Sequence, residues 1–286
     1  MAEKIKTHMR LLVQALFTIV TNGYVKGFLD GKIYQGKLKS ICVPGLNCYS
    51  CPGAFGACQL GSLQASLAQK NMHIPFFVVG FLFFVGALLG RFVCGWLCPF
   101  GLVQDLLHKI PFFKKKKQLP AHKILKYIKW AILLFFVLLF PAFLKGEFGV
   151  GVPWFCKYVC PSGTLLGAVP LMSVNEGLRA AAGALFQWKM LVLIAVILLS
   201  IKVFRPFCQY LCPLGAIYGC FNSISLVHLE VEQAACVTCG KCQKTCPVDI
   251  KTFETPNASA CIRCGQCVQS CPTKAISWKI GTGNKE

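Results

Sequence analysis

Cys236-Val-Thr-Cys239-Gly-Lys-Cys242-Gln-Lys-Thr-Cys246-Pro247 is followed after a short interval by Cys261-Ile-Arg-Cys264-Gly-Gln-Cys267-Val-Gln-Ser-Cys271-Pro272. Thiolates at this interval wrap a loop around one corner of an iron-sulfur cube, and a fourth beside proline reaches across to a neighbouring cube. The spacing assigns Cys236, Cys239, Cys242 and Cys271 to one cluster, A, and Cys261, Cys264, Cys267 and Cys246 to another, B. Paired zinc sites or disulfides fit poorly, because zinc motifs rarely repeat four cysteines at this spacing with Cys-Pro at both ends.

This is the signature of a two-cluster bacterial ferredoxin, so residues 226–286 read as a small α+β two-cluster domain that handles single electrons. Upstream of it the chain changes character. At 286 residues, 55% hydrophobic and 14% charged, with a mean hydropathy of +0.59, it is too apolar for one soluble core and reads as a membrane protein with a polar appendage. A formal charge of +20 raises nucleic acid as a partner. The positive residues gather instead at the ends of apolar runs, which points to topology and membrane lipid and away from nucleic acid. Nineteen cysteines would suit a disulfide scaffold in a small secreted domain. Here most stand in motifs suited to metal.

Apolar runs cover residues 11–25 (extending to Leu29), 74–90, 124–144 and 185–204. Each can cross a hydrocarbon core about 30 Å thick once flanking lysines snorkel, which predicts four transmembrane helices in an all-α membrane domain. The first run follows Lys4, Lys6 and Arg10 without a small-residue cleavage site, so it reads as a retained helix. Lys109, Lys114 to Lys117, Lys123, Lys126 and Lys129, opposed by Asp105, crowd the segment between the second and third runs, whereas Asp30, Glu147 and Glu176 partly balance the other loops. By the positive-inside bias that segment is cytoplasmic, as are both termini and the ferredoxin domain, in a multi-pass protein of the cytoplasmic membrane. Lys114 to Lys117 read as a topology signal that meets anionic lipid, and residues 101–110 as an amphipathic helix on the inner interface, with Gln104, Asp105, His108 and Lys109 on its polar face.

The remaining cysteines fall on this map. Arg91-Phe-Val-Cys94-Gly-Trp-Leu-Cys98-Pro99-Phe-Gly101 follows the second run and Arg205-Pro-Phe-Cys208-Gln-Tyr-Leu-Cys212-Pro213-Leu-Gly215 the fourth, so residues 1–119 and 120–225 read as tandem helix-pair repeats with re-entrant cysteine loops. Cys94, Cys98, Cys208 and Cys212 together supply the ligands of an inner 4Fe-4S cluster. The outer loops hold Cys42, Cys48, Cys51-Pro52 and Cys58, then Cys156-Lys-Tyr-Val-Cys160-Pro161. The preferred outer set is Cys48, Cys51, Cys156 and Cys160; Cys42 and Cys58 stand as alternative ligands. Gln59 occupies the place where proline would complete a Cys-Pro at Cys58. Cysteines four apart on one helical turn point the same way, a poor start for a disulfide. Cys220 reads as a packed thiol. No histidine pair sits at matching depths for a b-type haem, and no Cys-x2-Cys-His, dinucleotide fingerprint or P-loop occurs.

On Cys94/Cys98-Pro99, Cys208/Cys212-Pro213 and the eight ferredoxin cysteines, the chain resembles the NapH/NosR-like membrane-bound polyferredoxins. The resemblance implies two to four 4Fe-4S clusters and electron transfer across the cytoplasmic membrane. The donor would be a soluble ferredoxin or flavodoxin, met at Lys241, Lys244, Lys251 and Arg263 by complementary charge. The acceptor would be an extracytoplasmic flavin, Fe-S or reductase partner, within a multisubunit complex. No substrate site is expected on this chain, since the cofactors carry the redox chemistry. A quinol dehydrogenase subunit feeding a periplasmic reductase, and a ferredoxin-bearing membrane anchor, are the competing readings.

Overall fold

The computed structural model describes residues 2–70, 74–112, 114–146 and 149–281, with side chains from Met9 onward. The side chains of Lys4, Lys6 and His8, together with His73 and Glu147, lie outside that set. Helices dominate. They run over Ala2–Thr21, Gln59–Leu67, Phe76–Leu89, Pro99–Lys109, His122–Phe143, Pro161–Val174, Ala184–Lys202 and Pro213–Cys220, with shorter turns between them.

Two of these, His122–Phe143 and Ala184–Lys202, are long and apolar enough to cross a membrane. Of the four expected spans, the other two are shorter apolar helices, Met9–Thr21 and Phe76–Leu89. Each stops for a local reason. The first does not run on to Leu29. It ends where Asn22 folds back to the Thr18 carbonyl and Gly23 leaves no room for a Cβ beside the Ile19 carbonyl, and a separate turn covers Val25–Asp30. The second ends at Gly90, whose φ of +50° only glycine adopts freely, and the Asn222 side chain caps the next amide, that of Arg91, at 2.9 Å. At about 1.5 Å per residue, its 14 residues span roughly 21 Å. In His122–Phe143 the middle, Ile132–Leu139, is π-wound ahead of Pro141, where a missing N–H already disturbs the ladder. Ile19, Phe76, Phe77, Phe83, Phe84, Ile124, Leu191, Ile194 and Leu198 are exposed along these helices. A belt of that size is unfavourable against water and suits lipid.

Pro99–Lys109 is where the halves meet, packing against both Ala2–Thr21 and Ala184–Lys202. It is not an interfacial helix with a wet polar face. Gln104 and Asp105, expected on that face, are buried, because the helix inserts between its neighbours. A two-residue parallel bridge, Cys42–Val43 with Ala57–Cys58, closes the first outer loop. In the ferredoxin region Val227–Val231 pairs antiparallel with Ile276–Ile280, so the ends of that module are held together over the two cysteine loops.

The module is clamped onto the membrane half by directed hydrogen bonds. Arg91 Nη1 donates to the Ser259 carbonyl and Trp96 Nε1 to that of Arg263; Asn222 Nδ2 donates to Ala258 and Cys261, and Arg263 Nη1 to Leu89. Lys117, read as facing lipid, donates to the carbonyls of Gln243 and Lys244. The lysine loop and the ferredoxin module therefore share one side of the molecule. Arg263, expected on a docking surface, is fully buried as part of this clamp. Cys220, expected to be packed, is exposed.

Candidate metal centres

In the ferredoxin module each repeat bends the same way. Thr238 and Arg263, the residues before the second cysteine, have positive φ, as do Gly240 and Gly265 after it, and Asp249 and Lys274 three residues past the last cysteine. Such alternation turns successive backbone N–H groups inward, a cradle for an anionic centre. One cavity is lined by Cys236, Cys239, Cys242 and Cys271, and a second by Cys246, Cys261, Cys264 and Cys267. The chemistry of these sulfurs suits a metal. Burial, with Cys264 as a like-charged neighbour, pushes the Cys261 thiol up to about 12, so without a cation beside it this sulfur holds its proton at neutral pH. Burial, opposed by Cys261, brings the Arg263 guanidinium down to about 10.

Just past the ends of Phe76–Leu89 and Ala184–Lys202, Cys94, Cys98, Cys208 and Cys212 are buried and are one another's electrostatic neighbours. Cys98 and Cys212 each cap the helix that follows from an extended backbone, with proline at the first helical position. Gln104 Nε2 donates to Cys208 Sγ at 3.1 Å. Around this quartet lie four buried cations, Arg10 (4% exposed), Arg91 (1%), Lys129 (5%) and Arg205 (0%), and the only carboxylate buried among the described residues, Asp105 (4%). Asp105 accepts from both Arg10 and Arg205.

Between the two loops expected to be outer, a cavity of about 620 Å³ opens among Cys48, Cys58, Cys156, Cys160, Lys39, Asn47, Gly163 and Lys189. Cys51 and Cys42 are not on its wall. Cys51 is buried beside Cys48, and Cys42 bonds to Ser62. Gln64 Nε2 donates to Cys156 Sγ at 3.4 Å. The sequence motifs favour Cys51 and disfavour Cys58, which lacks a following proline; they assign Gln104 to a wet helix face and give Gln64 no role. The signal was present: each glutamine stands six residues after a cysteine, Cys58 or Cys98.

Comparison with known proteins finds 4Fe-4S domains over part of this chain. A 4Fe-4S binding domain matches residues 71–120 and 186–230, the stretches that hold Cys94/Cys98 and Cys208/Cys212. A second 4Fe-4S binding domain matches residues 254–277. Protein MJ0750 of Methanocaldococcus jannaschii is 30% identical over 78% of this chain and 80% of its own length. The methylamine utilization ferredoxin-type protein MauN of Paracoccus denitrificans is 30% identical over 65% of this chain, and the ferredoxin-type protein NapH of Haemophilus influenzae 26% over 64%. The chain belongs to this ferredoxin-type 4Fe-4S electron-transport family.

No solved structure matches it. The chain spans 59% of that MauN and 57% of that NapH, so their wider activities are not carried over. As a ferredoxin-type protein it binds 4Fe-4S clusters, and the residues present fit that group. Among the described residues no three histidines, cysteines or acids close tightly enough to hold a single ion. In a cube each thiolate has its own iron, so the four sulfurs stand further apart than around zinc, where Zn–S is about 2.3 Å. The charges fit as well: four buried cations facing one carboxylate would be prohibitive in an apolar interior without an anionic partner. Four thiolates on an iron-sulfur core supply it.

Proposed function

We propose that the protein is a transmembrane conduit for single electrons, running from cluster A through cluster B and an inner cluster to an outer cluster. Cys236, Cys239, Cys242 and Cys271 hold cluster A; Cys261, Cys264, Cys267 and Cys246 hold cluster B; Cys94, Cys98, Cys208 and Cys212 hold the inner one. The single observation carrying this reading is the order of the cysteine sets. Cys239 is exposed to solvent, Cys264 of cluster B faces Arg10 and Arg205, and Arg205 donates to the Cys94 carbonyl of the inner set. The outer set follows next: Leu46, on the wall of the outer cavity, donates its amide to the Cys98 sulfur, and Tyr218, a neighbour of Cys94 and Cys98, bonds to Gln59 beside Cys58.

The finer topology belongs to the same proposal. The two short apolar helices cross with the help of the cysteine hairpins that continue them, since irregular backbone at membrane depth survives when buried in protein. That gives four spans in two helix-pair repeats, 1–119 and 120–225, with the ferredoxin domain 226–286 in the cytoplasm. Lys117 supports the orientation, tying the positive-inside loop to that domain. Lys241, Lys244 and Lys251 are exposed near cluster A and suit an acidic ferredoxin or flavodoxin. The outer partner is an extracytoplasmic flavin or iron-sulfur protein. The protein's part is to set distance, burial and potential.

The test is electron flow into sealed liposomes holding a trapped, membrane-impermeant acceptor, with reduced ferredoxin outside. Wild type should reduce the acceptor and Cys208→Ala should not. Persistent flow in that variant would contradict the conduit, and oxidation of a quinol analogue by quinone-free protein would favour the dehydrogenase reading instead.

A further inference from the structure

The inner and outer centres share a detail that sequence motifs do not reveal. Gln104 makes three hydrogen bonds: Nε2 to Cys208 Sγ at 3.1 Å, Nε2 to the Phe100 carbonyl at 3.4 Å, and Oε1 from the Phe207 amide at 3.2 Å. Gln64 makes the same three, to Cys156 Sγ at 3.4 Å, to the Leu60 carbonyl at 3.1 Å and from the Phe155 amide at 3.0 Å. In both cases the amide that donates to the glutamine Oε1 belongs to the phenylalanine before the bonded cysteine. The backbones match as well: the Cys160 amide bonds to the Phe155 carbonyl and the Cys212 amide to that of Phe207, each at 2.9 Å.

This pairing fixes which cysteine corresponds to which. If Cys156 and Cys160 correspond to Cys208 and Cys212, then Cys58, six residues before Gln64, corresponds to Cys98, six before Gln104. Cys58 also has the conformation of a ligand. Its φ and ψ, −71° and 129°, match those of Cys98 (−78°, 118°), Cys160 (−70°, 106°) and Cys212 (−78°, 111°), all at the N-cap of a helix. In all four a glycine three residues on, Gly61, Gly101, Gly163 or Gly215, aims its backbone N–H at the sulfur. Proline is absent after Cys58, yet the helix starts there all the same, with Gln59 held by the Val43 carbonyl at 3.2 Å and Tyr218 Oη at 2.9 Å.

We propose, resting on the conduit reading above, that Cys48, Cys58, Cys156 and Cys160 ligate a 4Fe-4S cluster in the outer cavity, an inverted copy of the inner centre, with Gln64 and Gln104 as equivalent positioning residues. The fourth position follows from the side chains. Cys48 and Cys160 sulfurs both lie within 4 Å of where a Gly163 Cβ would stand, and the Cys156 sulfur lies 3.9 Å from that point on Gly61. Asn47 supplies an independent observation. It lines the cavity and is fully buried, and neither its side-chain nitrogen nor its oxygen has a protein partner. A buried amide of this kind calls for an acceptor in the cavity, and cluster sulfur provides one.

The experiment compares iron, acid-labile sulfide and EPR of the purified full chain with those of Cys58→Ala, Cys51→Ala and Cys42→Ala. Cys58→Ala should lose about four irons by the rule of one cube per four cysteines while keeping the signals of the other clusters, which also shows that it has folded; the other two variants should keep their full complement. Loss in Cys51→Ala with retention in Cys58→Ala would overturn the assignment and leave the conduit standing. A wild type with only about twelve irons would remove the outer cluster, and with it both readings of that site. As a second readout, Gln64→Leu should lower the outer cluster's potential without loss of iron, and Gln104→Leu should do so for the inner one. An unchanged potential in either would reject the positioning role.

Discussion

The inner and outer cysteine centres differ less in their sulfur scaffold than in what surrounds it. Both present a Cys-Gly N–H contact and a glutamine aimed at a cysteine sulfur. The inner one is flanked by buried Arg91, Lys129 and Arg205, with Arg10 joined to Arg205 through Asp105. The outer one borders a cavity of about 620 Å³ with Lys39 and Lys189 on its wall. The same bracket thus serves two electrostatic settings. A buried cation shell stabilises the more negative, reduced state and favours accepting an electron. An open cavity gives a partner protein somewhere to approach.

The largest effect should come from removing one inner ligand. Cys212→Ala takes away the anion that neutralises the cation shell, so it should lose about four irons and also melt well below wild type in detergent. Cys160→Ala should lose as many irons with a smaller drop in melting temperature, and equal drops would erase the contrast between the centres. Next is Asp105→Asn, which leaves Arg10 and Arg205 without their buried partner; breaking such a pair costs about 3–5 kcal/mol. Denaturant unfolding that moved by less than about 1 kcal/mol would mean the arginines are held by the cluster alone. The smallest is Lys129→Met, whose charge faces Cys94 and Cys212. It should lower the inner potential by about 60 mV, one tenfold step for a single electron, and leave the outer potential in place in an EPR redox titration.

How much of this was legible depends on the distance over which each feature is encoded. The ferredoxin cysteines and both inner Cys-x3-Cys-Pro motifs are local, and their spacing carries the chemistry directly. The apolar runs marked the helices, though not their ends, because Gly23 and Gly90 stop them through contacts with the Ile19 carbonyl and the Asn222 side chain. Asp105 looked like a counter-charge within a lysine-rich loop. Its partners, Arg10 and Arg205, lie 95 and 100 residues away, and no periodicity reports such a pairing. Gln64 and Gln104 are polar residues on amphipathic helices, and a helical pattern alone assigns them to solvent. Cys58 was marked down because it lacks proline, which is one way of starting a helix and not a requirement for binding iron.

Cysteines from separate helical segments are proposed to converge on two clusters within the helical domain, in addition to the two of the ferredoxin module. Iron and acid-labile sulfide per chain, measured on anaerobically purified protein together with EPR, test this convergence most directly. Four cubes give about sixteen irons, four for each. About eight, with signals from the ferredoxin pair alone, would contradict it.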